Sequence, residues 1–219
     1  SYTDDDLRRR AAAILGVQPI TFILVKRSVD ARHKDAVHFE IAVDVTVEDE
    51  ELVLRRQKKR REQVTRIQPQ PYVIPPLDEP PSVPPVVVGS GPAGLFAALM
   101  LARAGARPIL LERGGDVDSR QRAVETFRRT GVLNTVDNVQ FGEGGAGTFS
   151  DGKLNSGIKD PRSRLVLETF VGAGAPASIL WQAKPHIGTD ELRHTVRGLR
   201  EEILRHGGEV RFYSQVTDI

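Results

Sequence analysis

Apolar and polar residues follow two rhythms along this chain. In Val37-His-Phe39-Glu-Ile41-Ala-Val43-Asp-Val45-Thr-Val47 every odd position is apolar. A period of two predicts a strand with one buried face and one wet face. Residues 20–26 form a second strand candidate. Helical signals flank both: Thr3 is placed to cap a helix through about Leu15, with acids in its first turn and Gly16 as its stop. Asp49 is placed to cap another, carrying Glu50, Glu51, Leu52 and Val53. The first 67 residues therefore predict a small α+β domain.

Beyond residue 85 the rhythm changes. Val86-Val-Val88 is a short apolar run, and Leu95 opens a small-residue apolar helix that Gly105 stops. Residues 108–111 and 209–213 predict further strands, and a helix is expected around Val124 and Phe127. Leu192, Val196, Leu199 and Ile203 share a helical face, with Thr189 as apparent N-cap and Gly207-Gly208 as stop. Asp160-Pro161 opens another helix in the favoured N-cap and N1 arrangement.

Between the two rhythms, eight of the 14 prolines fall in residues 69–85, and 19 of the 20 glycines lie after them. Proline fixes φ and lacks an N–H, so residues 68–85 predict an extended linker, either a tether or a strap across the next domain. The domain that follows is placed at 86–219.

Charge and composition narrow the function classes. Lys plus Arg (31) nearly cancels Asp plus Glu (29), which argues against a surface built wholly for nucleic acid. The absence of cysteine excludes disulfides, thiolate metal sites and dithiol redox chemistry in this segment. Asp151, His33 and His38 show no ligand spacing, so no metal site is expected. The longest apolar stretch, residues 95–102, is too short to span a bilayer, and no apolar signal core opens the chain. A cytoplasmic protein is the default expectation. Residues 55–61 carry six positive charges in seven positions. They suit a solvated helix end better than a nucleic-acid patch, because no aromatic residue interleaves them.

The chemistry lies in Gly89-Ser-Gly91-Pro-Ala-Gly94, set between the strand at 86–88 and a helix. Gly89 suits a tight turn, Gly91 suits close approach of backbone to a pyrophosphate, and Gly94 suits close helix–strand packing. Free N–H groups at the helix start favour the phosphates. Glu112 follows Gly89 by 23 residues, where a carboxylate meets a ribose diol. Five glycines between Gly142 and Gly152 form a second stretch of close backbone approach.

With Val139-Gln-Phe-Gly-Glu-Gly-Gly-Ala-Gly-Thr-Phe-Ser-Asp-Gly-Lys-Leu-Asn155 added, the chain resembles bacterial FAD-dependent, NAD(FAD)-utilizing dehydrogenases. These belong to the glutathione-reductase-like and hydroxybenzoate-hydroxylase-like flavoproteins. The resemblance extends to Lys26-Arg-Ser-Val-Asp-Ala-Arg32 and Lys184-Pro-His-Ile-Gly-Thr-Asp190. It implies an α/β fold with a Rossmann-like FAD-binding domain after the small α+β domain. It places Gly89, Ser90, Gly91, Pro92, Ala93 and Gly94 at the ADP pyrophosphate, Glu112 at the ribose and Arg113 beside the adenosine. Gly144, Gly145, Ala146, Thr148 and Ser150 fall along the pyrophosphate and isoalloxazine, and Val216 at the adenine. Arg120 is a candidate phosphate ligand or a surface helix residue.

Lys153 and His186 are the side chains nominated near the chemistry, each with a plain surface-loop alternative. The function expected is a flavin oxidoreductase passing a hydride to an unidentified acceptor, with NAD(P)H as candidate reductant. The rivals are a flavin-dependent RNA-modifying enzyme and a non-catalytic dinucleotide-binding scaffold or sensor. Counted from Val86, 134 residues hold only three strands of the usual order, so the chain is expected to be the N-terminal portion of a longer protein.

Overall fold

The computed structural model describes residues 2–57, 63–68, 71–158 and 160–218. The chain divides into two units, one of residues 1–70 with 180–183, the other of 71–179 with 184–219. Part of the basic run, positions 58–61, lies outside the described residues.

In the first unit, helix α1 (Asp4–Leu15) starts in a capping box. The Thr3 hydroxyl accepts from the Asp6 N–H at 3.2 Å, and the Asp6 carboxylate accepts from the Thr3 N–H at 2.9 Å. Gly16, at φ 75°, ends it. Strands β1 (Thr21–Asp30) and β2 (His38–Thr46) pair antiparallel, with a bulge between Leu24 and Lys26. Helix α2 (Glu50–Arg56) is capped by Asp49, which accepts from the Leu52 N–H at 2.9 Å. Leu15, Val47 and Val53 form the core.

Burial of the alternating face holds only at one end of β2. Val47 is buried, but Val37 and Phe39 are 57% and 48% exposed. The core from α1 and α2 covers one end of a ribbon only two strands deep. At the other end Phe39 meets Tyr2 edge-on and the Arg27 guanidinium. A segment distant in sequence completes this region. Arg27 donates its N–H to Trp181 O at 2.7 Å and accepts from the Ala183 N–H at 3.0 Å, and its guanidinium lies 4.4 Å from the Trp181 ring centre.

In the second unit β3 (Val86–Val88), β4 (Ile109–Leu111) and β5 (Glu209–Arg211) form a parallel sheet in the order β3-β4-β5. Helix α3 (Pro92–Arg103) connects β3 to β4. Helices α4 (Val117–Thr130), α5 (Arg162–Gly172) and α6 (Thr189–Arg205) lie between β4 and β5. Leu95, Ala98, Leu99 and Ala102 of α3 pack with Leu110 and with Val196, Leu199 and Ile203 of α6. Val86 and Val88, pointing the other way, are 56% and 58% exposed.

The helix ends refine the expectations. Gly188, not Thr189, is the N-cap of α6, and the Thr189 hydroxyl instead donates to Ser150 O at 2.8 Å. Pro161 occupies the N-cap of α5, one residue later than expected, although Asp160 still accepts from the Arg162 N–H at 2.8 Å. Gly207 and Gly208 donate to Leu204 O and Ile203 O, a double stop for α6. Strand β5 ends two residues early, because Tyr213 turns into the left-handed region at φ 54°. The proline-rich stretch behaves as a strap at Leu77, whose N–H donates to Ala104 O at the end of α3 (2.8 Å). Among the described residues no helix is long and apolar enough to cross a membrane.

Candidate functional site

The first glycine turn leaves the carboxyl end of β3. Gly89 adopts φ 89° and donates its N–H to Leu111 O at 2.7 Å, holding the turn beside β4. A Cβ on Gly94 would stand 1.8 Å from Gly89 O. Only glycine allows α3 to start this close to the strand it follows. Gly91 is the opposite case, since a Cβ there would meet nothing within 4 Å. Gly91 is also the N-cap of α3 and offers no side chain to its first N–H groups, with Pro92 next. An uncapped helix start with open space at its mouth is what an anionic group requires. Ala93 is exposed there, and Ser90 is buried behind it.

Glu112 sits at the end of β4, next to this turn. One carboxylate oxygen accepts from the Ser90 N–H and hydroxyl, both at 2.8 Å. The other accepts from the Gly114 N–H at 2.9 Å and the Gly142 N–H at 3.1 Å. Burial pushes its pKa up, but these donors outweigh burial and hold it below the ordinary value. A carboxylate offers about four lone-pair sites, and all are taken from within the chain. Glu112 is thus bonded to both glycine loops.

The second glycine stretch packs against the first turn. Gly144 donates its N–H to Ser90 O at 2.8 Å, and a Cβ on Gly145 would lie 3.3 Å from the Gly91 Cα. Ala146 is exposed at the start of a 3-10 turn, Ala146–Phe149. Thr148 faces inward, donating to Glu143 O at 3.2 Å. Ser150 is exposed, and its hydroxyl donates to Gly147 O at 2.7 Å.

Arg120 departs from both expected roles. It is fully buried, so it is no surface residue. Its guanidinium donates to the carbonyls of Asn138, Val139, Glu143 and Gly145 and to the Thr148 hydroxyl. Five N–H donors serving these acceptors leave none for a phosphate. Burial lowers its pKa to about 10.

A family model described as an FAD binding domain matches residues 82–217, more than half of the chain. The chain belongs to this FAD-binding family. A model described only as a domain of unknown function matches residues 1–46. An uncharacterized protein of Clostridium beijerinckii is 48% identical over 199 residues, 90% of this chain and 37% of its own length. Aklavinone 12-hydroxylase DnrF of Streptomyces peucetius is 29% identical over 147 residues, 63% of this chain and 29% of that protein. The chain thus spans about a third of the length of the curated relatives it matches.

The remaining expected residues of the FAD-binding domain scatter around this centre. The Arg113 guanidinium stacks on Phe141, 3.9 Å from the ring centre, and its Nε is buried without a partner. Val216 is half-buried two residues beyond Ser214, whose N–H donates to Glu112 O at 2.8 Å. Lys153 and His186 face each other across a single antiparallel bridge. Both are exposed, and Lys153 pairs with Asp151 at 2.8 Å.

Two buried acids of the FAD-binding domain were not foreseen. Glu143 is fully buried; one oxygen accepts from the Val117 N–H at 2.8 Å and lies 3.3 Å from Arg200, while Oε1 has no partner. Burial raises its pKa to about 7. Asp137 accepts from the Gly115 N–H at 2.5 Å and the Tyr213 hydroxyl at 3.0 Å. A carboxylate set among glycines was a usable signal for Glu143. Asp137 carried none.

Proposed function

We propose that the protein is an FAD-dependent oxidoreductase and that this chain holds the ADP half of the cofactor. The observation that carries the reading is Gly91, whose Cα opens onto free space at the uncapped start of α3, beside Gly145. Gly89, Ser90, Gly91, Pro92, Ala93 and Gly94 would hold the diphosphate through backbone N–H groups, with Gly144, Gly145 and Ala146 alongside. Glu112 would reach the ribose only by exchanging one of its present donors. The flavin, when bound, supplies the acceptance and release of electrons, and the protein positions it and tunes its surroundings.

The parallel order β3-β4-β5, with α3 as a crossover, supports the Rossmann-like reading. Parallel strands are ordinarily covered on both faces, and Val86 and Val88 are not. This reading puts further protein over that face. Within the superfamily, the narrower assignment is an NAD(FAD)-utilizing dehydrogenase, with NADH or NADPH as reductant. A second reading, favoured by the aklavinone hydroxylase similarity, is hydroxylation of an organic substrate.

The test uses the full-length protein. It is expected to take up FAD, and NADH or NADPH under anaerobic conditions is expected to bleach the flavin absorption. Reduction that speeds up only with an aromatic substrate present would favour the hydroxylase. Tight FAD binding with no reduction by either nucleotide would favour the scaffold, and a protein that takes up no FAD would remove the proposal.

A further inference from the structure

We infer that Arg120 is a positioning residue for the cofactor, drawing the carbonyls of residues 138–145 inward and so holding the second glycine loop in the shape that meets the first. The inference rests on the FAD reading for its consequence and on the structure alone for the loop.

Arg120 lies on α4 and is 0% exposed. Its Nε donates to Asn138 O at 3.2 Å. Nη1 donates to Glu143 O, to Gly145 O at 3.0 Å and to the Thr148 hydroxyl at 3.3 Å. Nη2 donates to Asn138 O at 3.1 Å and Val139 O at 2.8 Å. Its guanidinium lies 4.9 Å from the Phe149 ring centre. Among the described residues no carboxylate lies within ion-pair distance of Arg120; backbone carbonyls and the Thr148 hydroxyl take its hydrogen bonds, and Glu112, Asp137 and Glu143 lie near enough to favour its charge. Burying a charge this way is costly unless every donor is used. Here every donor is used, and on one loop.

The packing around the side chain agrees. A Cβ on Gly142 would fall 2.2 Å from Arg120 Cδ, so the arginine stem requires glycine there. Carbonyl oxygens bonded to the guanidinium are not free to turn toward an incoming phosphate. The loop is then fixed to the first turn through Gly144 and Ser90 at 2.8 Å, and Gly145 abuts Gly91. A shift of the loop would reach the open face of Gly91 directly. The planar fork matters here, since a lysine ammonium cannot serve carbonyls spread over eight residues.

The experiment compares the full-length protein with R120K and R120M. Two quantities are measured: the FAD dissociation constant of the stripped protein, and amide exchange of residues 138–149 without cofactor. Both variants are expected to weaken FAD binding by about tenfold or more, in line with the loss of several hydrogen bonds. Exchange at 138–149 is expected to rise by a similar factor, while α3 and α6 keep their protection. R120K retaining affinity within about twofold, with R120M losing it together with its salt dependence, would mark a point-charge phosphate contact and overturn the inference. Unchanged exchange at 138–149 in both variants overturns it as well. If the parent takes up no FAD, the FAD reading fails and the exchange data alone decide the role in the loop. If the arginine variants do not fold, T148V replaces them; it removes the hydroxyl between Nη1 and Glu143 O. About threefold faster exchange is then expected, and parental exchange overturns the inference.

Discussion

A single carboxylate oxygen of Glu112 accepts both the backbone N–H and the hydroxyl of Ser90, each at 2.8 Å. The other oxygen serves Gly114 and Gly142, so one side chain ties three backbone segments together.

Glu112→Ala leaves the N–H groups of Ser90, Gly114 and Gly142 unpaired in a buried site. Unmade buried hydrogen bonds cost about 1–3 kcal/mol each, so a loss of at least about 3 kcal/mol is expected in urea unfolding. Glu112→Gln, keeping one oxygen acceptor, should lose roughly half as much. The sign with pH follows from the lowered pKa. The contribution of Glu112 is present above the ordinary value of 4.5 and is lost as pH falls through the lower folded value. The difference between the parent and Glu112→Gln should therefore shrink on acidification.

The two key glycines of the first turn should fail in opposite ways. Gly94→Ala drives a Cβ into Gly89 O at 1.8 Å, and no side chain can move to relieve it. Loss of several kcal/mol or of folding is expected, about as for severe overpacking. Gly91→Ala meets no protein atom and keeps an ordinary φ of −66°. Its unfolding midpoint should match the parent while FAD uptake falls by about tenfold or more, because the methyl would fill the space proposed for the diphosphate. Equal FAD uptake by Gly91→Ala would count against the proposed site.

Glu143 should make the domain less stable as pH rises. Its folded pKa of about 7 lies above the ordinary 4.5, so the folded state holds the extra proton between them. Its contribution is complete below about pH 4.5 and is lost as pH climbs through about 7, up to about 3 kcal/mol in all. Glu143→Gln cannot lose that proton. Urea unfolding from pH 5 to 8 should show a flatter profile for the variant, and parallel profiles would contradict the prediction.

Lys153→Ala and His186→Ala should change stability by less than about 0.5 kcal/mol, since both side chains are exposed. Thermal unfolding checks this directly. A fall in flavin reduction rate in either variant would then report on chemistry rather than folding.

Local features were legible in the sequence because their causes are local. Thr3 and Asp6 are three residues apart, and a capping box needs no more. The same holds for Gly16, for Asp49 and for the run from Val86 to Gly94. The caps of α5 and α6 each sit one residue from the expected position. Thr189 found Ser150 O instead of its own helix, and Pro161 took the cap position next to Asp160.

Residue chemistry along the chain sufficed for the strand–turn–helix with its three glycines, the acid after β4 and the second glycine loop, since each depends on backbone conformations that only certain residues adopt. What the long polar side chains do was settled by folding. It joined Arg120 to carbonyls 18 to 25 residues away, filled every acceptor site of Glu112, and brought Trp181 against Arg27. Buried polar groups must find partners wherever the folded chain supplies them, and spacing along the sequence does not reveal which partners will arrive.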